Sequence, residues 1–263
     1  MPLAYINGFA MHYRLDGPEY GPAIILSNSL AADLTMWDLQ VPALTRAGYR
    51  MLRYDTRGHG RSAVPAGPYT LEMLTADIIS LMDFMGLEKA HFCGLSLGGM
   101  TGQMLASSHG SRLESFFISS TAAHIPPREL WEERIRSVRE KGMSAVADAT
   151  IERWFTGPGR GRLTSEVGMI RETILATSPD GYCACCEAIR DMDLREMIRS
   201  ITNRTLIVVG EQDQGTPVSS AEFIHHSIPS SNIRVISGAA HFVNVEQAQV
   251  FNDILLRFLQ GKL

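Results

Sequence analysis

Residues 91–102 read HFCGLSLGGMTG, a short apolar run followed by four glycines and one serine within nine positions. If the run is a buried strand and a helix follows the glycines, Ser96 stands on the turn between them. The hydroxyl is then exposed, and the glycines let the backbone fold tightly without side-chain clash. The competing reading is a small residue in a glycine-rich bend. A five-residue Gly-x-Ser-x-Gly pattern is too short to choose between the two. The rest of the chain has to supply a base, an acid and a fold.

Working outward, AIILS (23–27), YRMLRYD (49–55) and AHFCGL (90–95) are short apolar segments bounded by glycine or polar loops, the pattern of buried strands. Between the last two, Leu71, Leu74, Ile78, Leu81, Met82 and Met85 recur at three- and four-residue intervals, which predicts an amphipathic helix over 70–85 stopped by Gly86. Residues 36–46 form a weaker helical pattern containing Pro42. Further strands are expected at LESFFIS (113–119), TLIVVG (205–210) and NIRVIS (232–237), with helices at 100–107 and 245–259. Asn7-Gly8, between AYI and FAMHYRL, predicts a tight two-residue hairpin turn. Strands alternating with helices define an α/β fold with a mostly parallel central sheet flanked by helices. The alternation stops between 123 and 190. There the text is helical, with PGRG and SPDG reading as turns. The expected organisation is a core of 1–122 and 191–263 interrupted by a helical cap insertion, 123–190.

A chain of 263 residues is long enough to bury a substantial core, and 45% hydrophobic with 20% charged residues is an ordinary globular composition. A net charge of −4 gives no electrostatic footprint for nucleic acid or an anionic membrane, so neither is an expected partner. The N-terminus lacks a basic segment followed by an apolar run, and no stretch reaches the roughly 18 apolar residues of a spanning helix. A cytoplasmic location is expected. Cys183, Cys185 and Cys186 look metal-like, but no second Cys/His pair follows at zinc spacing, so they and Cys93 are read as free thiols and no metal is expected. The sequence carries no signal of oligomeric state.

In an open parallel sheet, sites collect at the carboxyl ends of strands. After 90–95 comes Ser96. After 205–210 comes EQDQGTP, where Thr216-Pro217 reads as a helix cap and first position, so Asp213 hangs in the loop. After 232–237 comes GAAHFVN with His241 ahead of the last helix. Glu211 is a rival acid. No carboxylate follows the 113–119 strand, where TAAH stands. A serine hydroxyl is a poor nucleophile until an imidazole takes its proton, and the imidazole needs a carboxylate to fix its tautomer. Ser96, Asp213 and His241 supply all three in the order serine, acid, base. Two backbone N–H groups must meet the developing oxyanion. Leu97, following the nucleophile, is one. Leu30, in the SNSLAADLTMW loop, is chosen for the other, with Ser29 and Ala31 left open.

With these residues in hand, the chain resembles the α/β-hydrolases, and more narrowly the 3-oxoadipate enol-lactonases of aromatic catabolism. The stretches that carry the resemblance are LSNSL (26–30), LRYDTRGHGRS (52–62), GPYTLEMLTADI (67–78), HFCGLSLGGMTGQ (91–103), Trp131, ERWFT (152–156) and GYCACCEAI (181–189). Two positions depart from that family: Ala31 stands where a glycine is usual, and Phe242-Val243-Asn244 replaces a smaller polar step, so the oxyanion loop and the pocket beside the base are expected to differ. The resemblance implies a five-membered enol-lactone with a pendant carboxylate, opened without a cofactor. It also implies that the insertion acts as a lid, with Trp131, Arg134 and Trp154 as substrate contacts. Asp55, Arg57 and His59 are read as structural, satisfying the backbone of a glycine-rich loop. The rival readings are hydrolysis of another lactone or small carboxylic ester on the same triad, and a ligand-binding receptor without turnover.

Overall fold

In a computed structural model describing residues 2–263, β1 (Leu3–Ile6) and β2 (Phe9–Asp16) pair antiparallel around the expected two-residue turn, with Asn7 and Gly8 at φ 48° and 82°. Both central residues at positive φ give a turn whose twist matches that of the strands it joins. The hairpin attaches through β2 to an otherwise parallel sheet of β3 (Ala23–Ser27), β4 (Arg50–Tyr54), β5 (Ala90–Leu95), β6 (Leu113–Ser119), β7 (Thr205–Gly210) and β8 (Ser231–Ile236). The spatial order is β1-β2-β4-β3-β5-β6-β7-β8. Every residue of β7 is buried, as a strand covered on both faces requires. After β3 the chain turns to β4 on one side and then crosses to β5 on the other. A crevice therefore opens at the carboxyl ends of β3 and β5, where Ser27 pairs with Gly94.

The helix expected over 36–46 is broken. A 3-10 turn at Leu34–Trp37, capped by the Asp33 side chain on the Thr35 N–H, precedes α1 (Val41–Arg46), and Pro42 occupies the first turn of α1. The break turns Trp37 fully inward, with its indole N–H on Asn28 Oδ1 at 2.9 Å. α2 (Leu71–Phe84) forms as predicted. Thr70 caps its start, and at its end Leu87 and Gly86 donate to the carbonyls of Met82 and Asp83. α3 (Leu97–His109) begins three residues earlier than the sequence suggested, directly after Ser96.

Between β6 and β7 lie five helices: α4 (Arg128–Lys141), α5 (Ser144–Trp154), α6 (Gly157–Arg162), α7 (Thr164–Ala176) and α8 (Pro179–Asp191). PGRG and SPDG are not plain turns, because each belongs to a helix start. Thr156 accepts the Gly159 N–H ahead of Pro158 in the first turn of α6, and Ser178 accepts the Gly181 N–H with Pro179 opening α8. A hydroxyl cap followed by proline is a helix-start signal. The three cysteines of α8 are buried, and burial pushes the Cys186 thiol up to about 12. Among the described residues no three metal-ligating side chains converge, and no helix is long and apolar enough to cross a membrane.

The chain closes with α9 (Val218–Ser227), then α10 (Val243–Glu246) and α11 (Ala248–Leu259) where one helix was expected; Gln247 at φ −127° and ψ 51° interrupts them. Phe251 and Phe258 of α11 meet Phe117 of β6 at ring-centroid distances of 5.3 and 5.9 Å. Burying each ring contributes about 1.5–3 kcal/mol, and it fixes the segment that carries His241.

Candidate active site

Ser96 occupies the one-residue turn between β5 and α3 at φ 56° and ψ −114°. A non-glycine residue there is strained by about 1–3 kcal/mol, and it persists because its surroundings over-determine it. The Ser96 N–H donates to Ser119 O at 3.0 Å, while the Ser96 carbonyl accepts from Thr121 Oγ1 and the Met100 N–H, both at 2.9 Å. The neighbouring glycines are needed for close approach. A Cβ on Gly98 would stand 2.2 Å from Ser27 O, and one on Gly94 would stand 2.4 Å from Gly98 O. The motif thus presses the start of α3 against the ends of two adjacent strands.

The same contact brings the two proposed oxyanion donors near Ser96. Leu97 is the first residue of α3, so its N–H has no intrahelical acceptor and sits at the positive end of the helix dipole. Leu30 lines the same cavity as Ser96, as do Ser29 and Ala31. The Ser29 N–H is taken by Met36 Sδ at 3.3 Å, so Leu30 and Ala31 stay as the candidate donors from this loop. Ala31 has φ 60°, the left-handed region that favours glycine. An alanine here holds a backbone conformation that glycine adopts more easily, which strains the loop.

Asp213 follows β7 and is 4% exposed. Its Oδ2 lies 2.8 Å from His241 Nδ1, and its Oδ1 accepts the N–H groups of Gly215 (2.9 Å) and Thr216 (3.0 Å). Burial alone would raise its pKa, but the charge and hydrogen bond of His241 and the bonds from Thr216 together hold it below the usual carboxylate value. Thr216 does not cap α9. Its hydroxyl donates to Asp213 Oδ2 at 2.8 Å, and Pro217 holds the cap position instead. Glu211, the rival acid, is exposed and accepts from the Gly238 N–H at 3.3 Å. With Nδ1 engaged by Asp213, His241 has Nε2 left for chemistry. His241 and Ser96 line one cavity of about 260 Å³.

The inserted helices roof this cavity. Trp131, Arg134 and Trp154 all line it. Trp131 donates its indole N–H to Ile125 O at 3.3 Å, and the Arg134 guanidinium lies 4.7 Å above its ring. Trp154 stacks on His241 at 6.3 Å and, more closely, on Phe242 at 4.1 Å. Phe242 itself is fully buried and does not line the cavity, so the bulk expected to crowd the pocket instead supports Trp154 from behind. Among the lining residues not singled out in the sequence, one is charged. Arg153 joins Arg134 in the cavity wall, and burial together with the charge of Arg134 lowers its pKa. Neither arginine makes an ion pair with a carboxylate among the described residues. In the glycine-rich loop, Arg57 forms a buried two-bond pair with Asp77 (2.6 Å each), while Asp55 accepts from the backbone N–H groups of Leu34 and Arg61 and meets His12.

A strained serine at the end of a central parallel strand, with a histidine–carboxylate pair on loops after two later strands, defines a hydrolase of the α/β class. Residues 22–248 match the α/β hydrolase fold family, and the chain belongs to it. Within that family it is similar to 3-oxoadipate enol-lactonase 2 of Acinetobacter baylyi, at 38% identity over 92% of this chain and 90% of the relative. It is 35% identical to enol-lactonase 1 of the same organism, over 97% and 95% of the two chains. The crystal structure of the enol-lactonase from Burkholderia xenovorans LB400 superimposes with a TM-score of 0.96 at 41% identity, covering 98% of this chain and 100% of that one.

Proposed function

We propose that the protein is a serine hydrolase that opens a five-membered enol-lactone carrying a carboxylate, of the 3-oxoadipate enol-lactone type. The observation that carries this reading is the cavity itself, where Ser96 and His241 share about 260 Å³ with Arg134 and Arg153, and among the described residues no carboxylate pairs with either arginine. Two cations facing a small enclosed space favour an anionic ligand, and guanidinium groups suit a carboxylate.

In this mechanism Ser96 Oγ attacks the ring carbonyl as His241 Nε2 takes its proton. The oxyanion is met by the N–H groups of Leu97 and Leu30. The ring C–O bond then breaks, and the released enol oxygen receives the proton from His241. The enol tautomerises to a ketone, which draws the opening forward. Water, deprotonated by His241, attacks the acyl-Ser96 ester and releases the keto-acid. Asp213 stays ionised, supporting the imidazolium that forms in each half. The five inserted helices act as the lid, with Trp131 and Trp154 covering the ring and the two arginines holding the carboxylate.

The test is a panel of the carboxylated enol-lactone, its uncharged methyl ester, saturated lactones and simple esters. The wild type should favour the carboxylated enol-lactone, Ser96→Ala should abolish turnover, and Arg134→Met and Arg153→Met should raise KM for the charged substrate only. Full turnover by Ser96→Ala would refute the mechanism. A preference for simple esters would refute the substrate.

A further inference from the structure

Glu246, the last residue of α10, is a carboxylate only 3% exposed that takes no part in the chemistry above. Its Oε2 accepts the N–H of Ala240, the residue before His241, at 2.8 Å. Its Oε1 accepts both the N–H (2.9 Å) and the hydroxyl (2.5 Å) of Thr156, which forms the corner between α5 and α6 of the insertion. That corner closes directly over the carboxylate, since a Cβ on Gly159 would fall 1.8 Å from Oε1. On the other side of His241, the Phe242 N–H donates to Trp154 O, the last carbonyl of α5, at 2.9 Å. Both residues flanking His241 are therefore tied to one corner of the insertion, Phe242 directly and Ala240 through Glu246.

Burying a carboxylate is costly unless hydrogen bonds satisfy it. An acceptor-only group with two oxygens is also what three converging donors require. A neutral amide of the same size would turn one N–H₂ towards a donor and lose a tether. The ring of His241 meets Asp213 Oδ2 (2.8 Å) and Thr216 Oγ1 (3.3 Å) at Nδ1 and stacks on Trp154, so the backbone anchor, which sets where the ring starts from, joins these contacts in aiming Nε2. We infer that Glu246 is a positioning residue, setting the catalytic base through Ala240 and tying its placement to the insertion through Thr156. This rests on the reading of His241 as the base of Ser96.

The test compares wild type with Glu246→Gln and with Thr156→Ala, which removes a tether on the insertion side and touches neither His241 nor the cavity. The readouts are kcat and KM on the enol-lactone, and the rate at which an alkyl fluorophosphonate labels Ser96. A base displaced by about 1 Å costs on the order of a hundredfold. Glu246→Gln is therefore expected to lower kcat and labelling together by about tenfold or more, with KM nearly unchanged, and Thr156→Ala should shift both in the same direction by less. Wild-type kcat and labelling in Glu246→Gln would overturn the proposal, as would a Thr156→Ala that leaves both untouched. If Glu246→Gln does not fold, Thr156→Ala decides alone. If wild type is labelled at Ser96 but leaves the enol-lactone intact, the substrate reading fails while the labelling comparison still decides the role of Glu246.

Discussion

Phe242 lies face to face with Trp154, ring centroids 4.1 Å apart and planes 11° from parallel. One ring follows His241, the proposed base, and the other lines the cavity from α5. The stack joins the sheet's last loop to the insertion, and it stands where the enol-lactonase resemblance led to a smaller residue being expected.

Removing that ring tests its contribution. Phe242→Ser should cost about 3–5 kcal/mol, the range for emptying a large aromatic site, whereas Phe242→Leu should cost less because it keeps part of the volume. Urea unfolding measures both. The serine variant should also lose kcat, because Trp154 and the base lose the same support. A serine variant as stable as wild type would mean the stack is incidental.

Ala31 allows a cleaner test of backbone strain. At φ 60° an alanine carries about 1–2 kcal/mol of steric cost, and glycine adds about 0.5–1 kcal/mol of unfolded-state entropy. Ala31→Gly should therefore be neutral or stabilising by up to about 1.5 kcal/mol. Ala31→Val puts a branched side chain in the same region of a residue that is 1% exposed, and should lose both stability and kcat as the oxyanion loop shifts. The midpoint of urea unfolding and steady-state kinetics read the two effects separately.

Much of the core was legible because its signals are local. The apolar runs of β3, β5, β6 and β7 and the three- and four-residue spacing of α2 are properties of short segments. Ser96, Asp213 and His241 each stand just beyond the end of a strand, so their convergence follows from the parallel sheet. What stayed hidden depends on long-range contact. Thr156 and Glu246 are 90 residues apart in the chain, and a glutamate on a short helix reads as a solvated charge until its three donors are seen. Arg153 sits beside Trp154 in ERWFT, and nothing in the spacing of that segment marks which of its side chains faces the cavity. Thr216, in a Thr-Pro step that usually caps a helix, is drawn away by the Asp213 carboxylate.

A buried histidine, His59, and a half-buried one, His91, predict the acid limb of stability. Burial lowers His59 from 6.5 to about 4 and also lowers His91. His59 stays neutral in the fold over a range where the unfolded chain takes up a proton, and His91 acts in the same direction. The unfolded state then binds more protons, so stability rises with pH across this window and falls as pH drops from about 6.5 towards 4. Each such proton contributes a slope of about 1.4 kcal/mol per pH unit. Urea unfolding at pH 7, 5.5 and 4.5 should show the loss, and His91→Gln should reduce the slope. A flat profile over that range would contradict the neutral buried state of His59.

The strain at Ser96 gives the last prediction. Its φ of 56° and ψ of −114° favour glycine, yet the position carries a serine whose hydroxyl the proposed mechanism requires. Ser96→Ala keeps a Cβ and therefore keeps the strain. Ser96→Gly removes it, against the added flexibility of glycine in the unfolded chain. Both variants should be inactive, but only the glycine variant should gain stability, by about 1 kcal/mol, a trade expected where a working residue is held in an unfavourable conformation. The comparison needs only equilibrium unfolding of three proteins. Equal stability of the glycine and alanine variants would show that the turn is not strained by its side chain. A glycine variant alone raised above wild type would place the energetic cost of the nucleophile at its backbone angles.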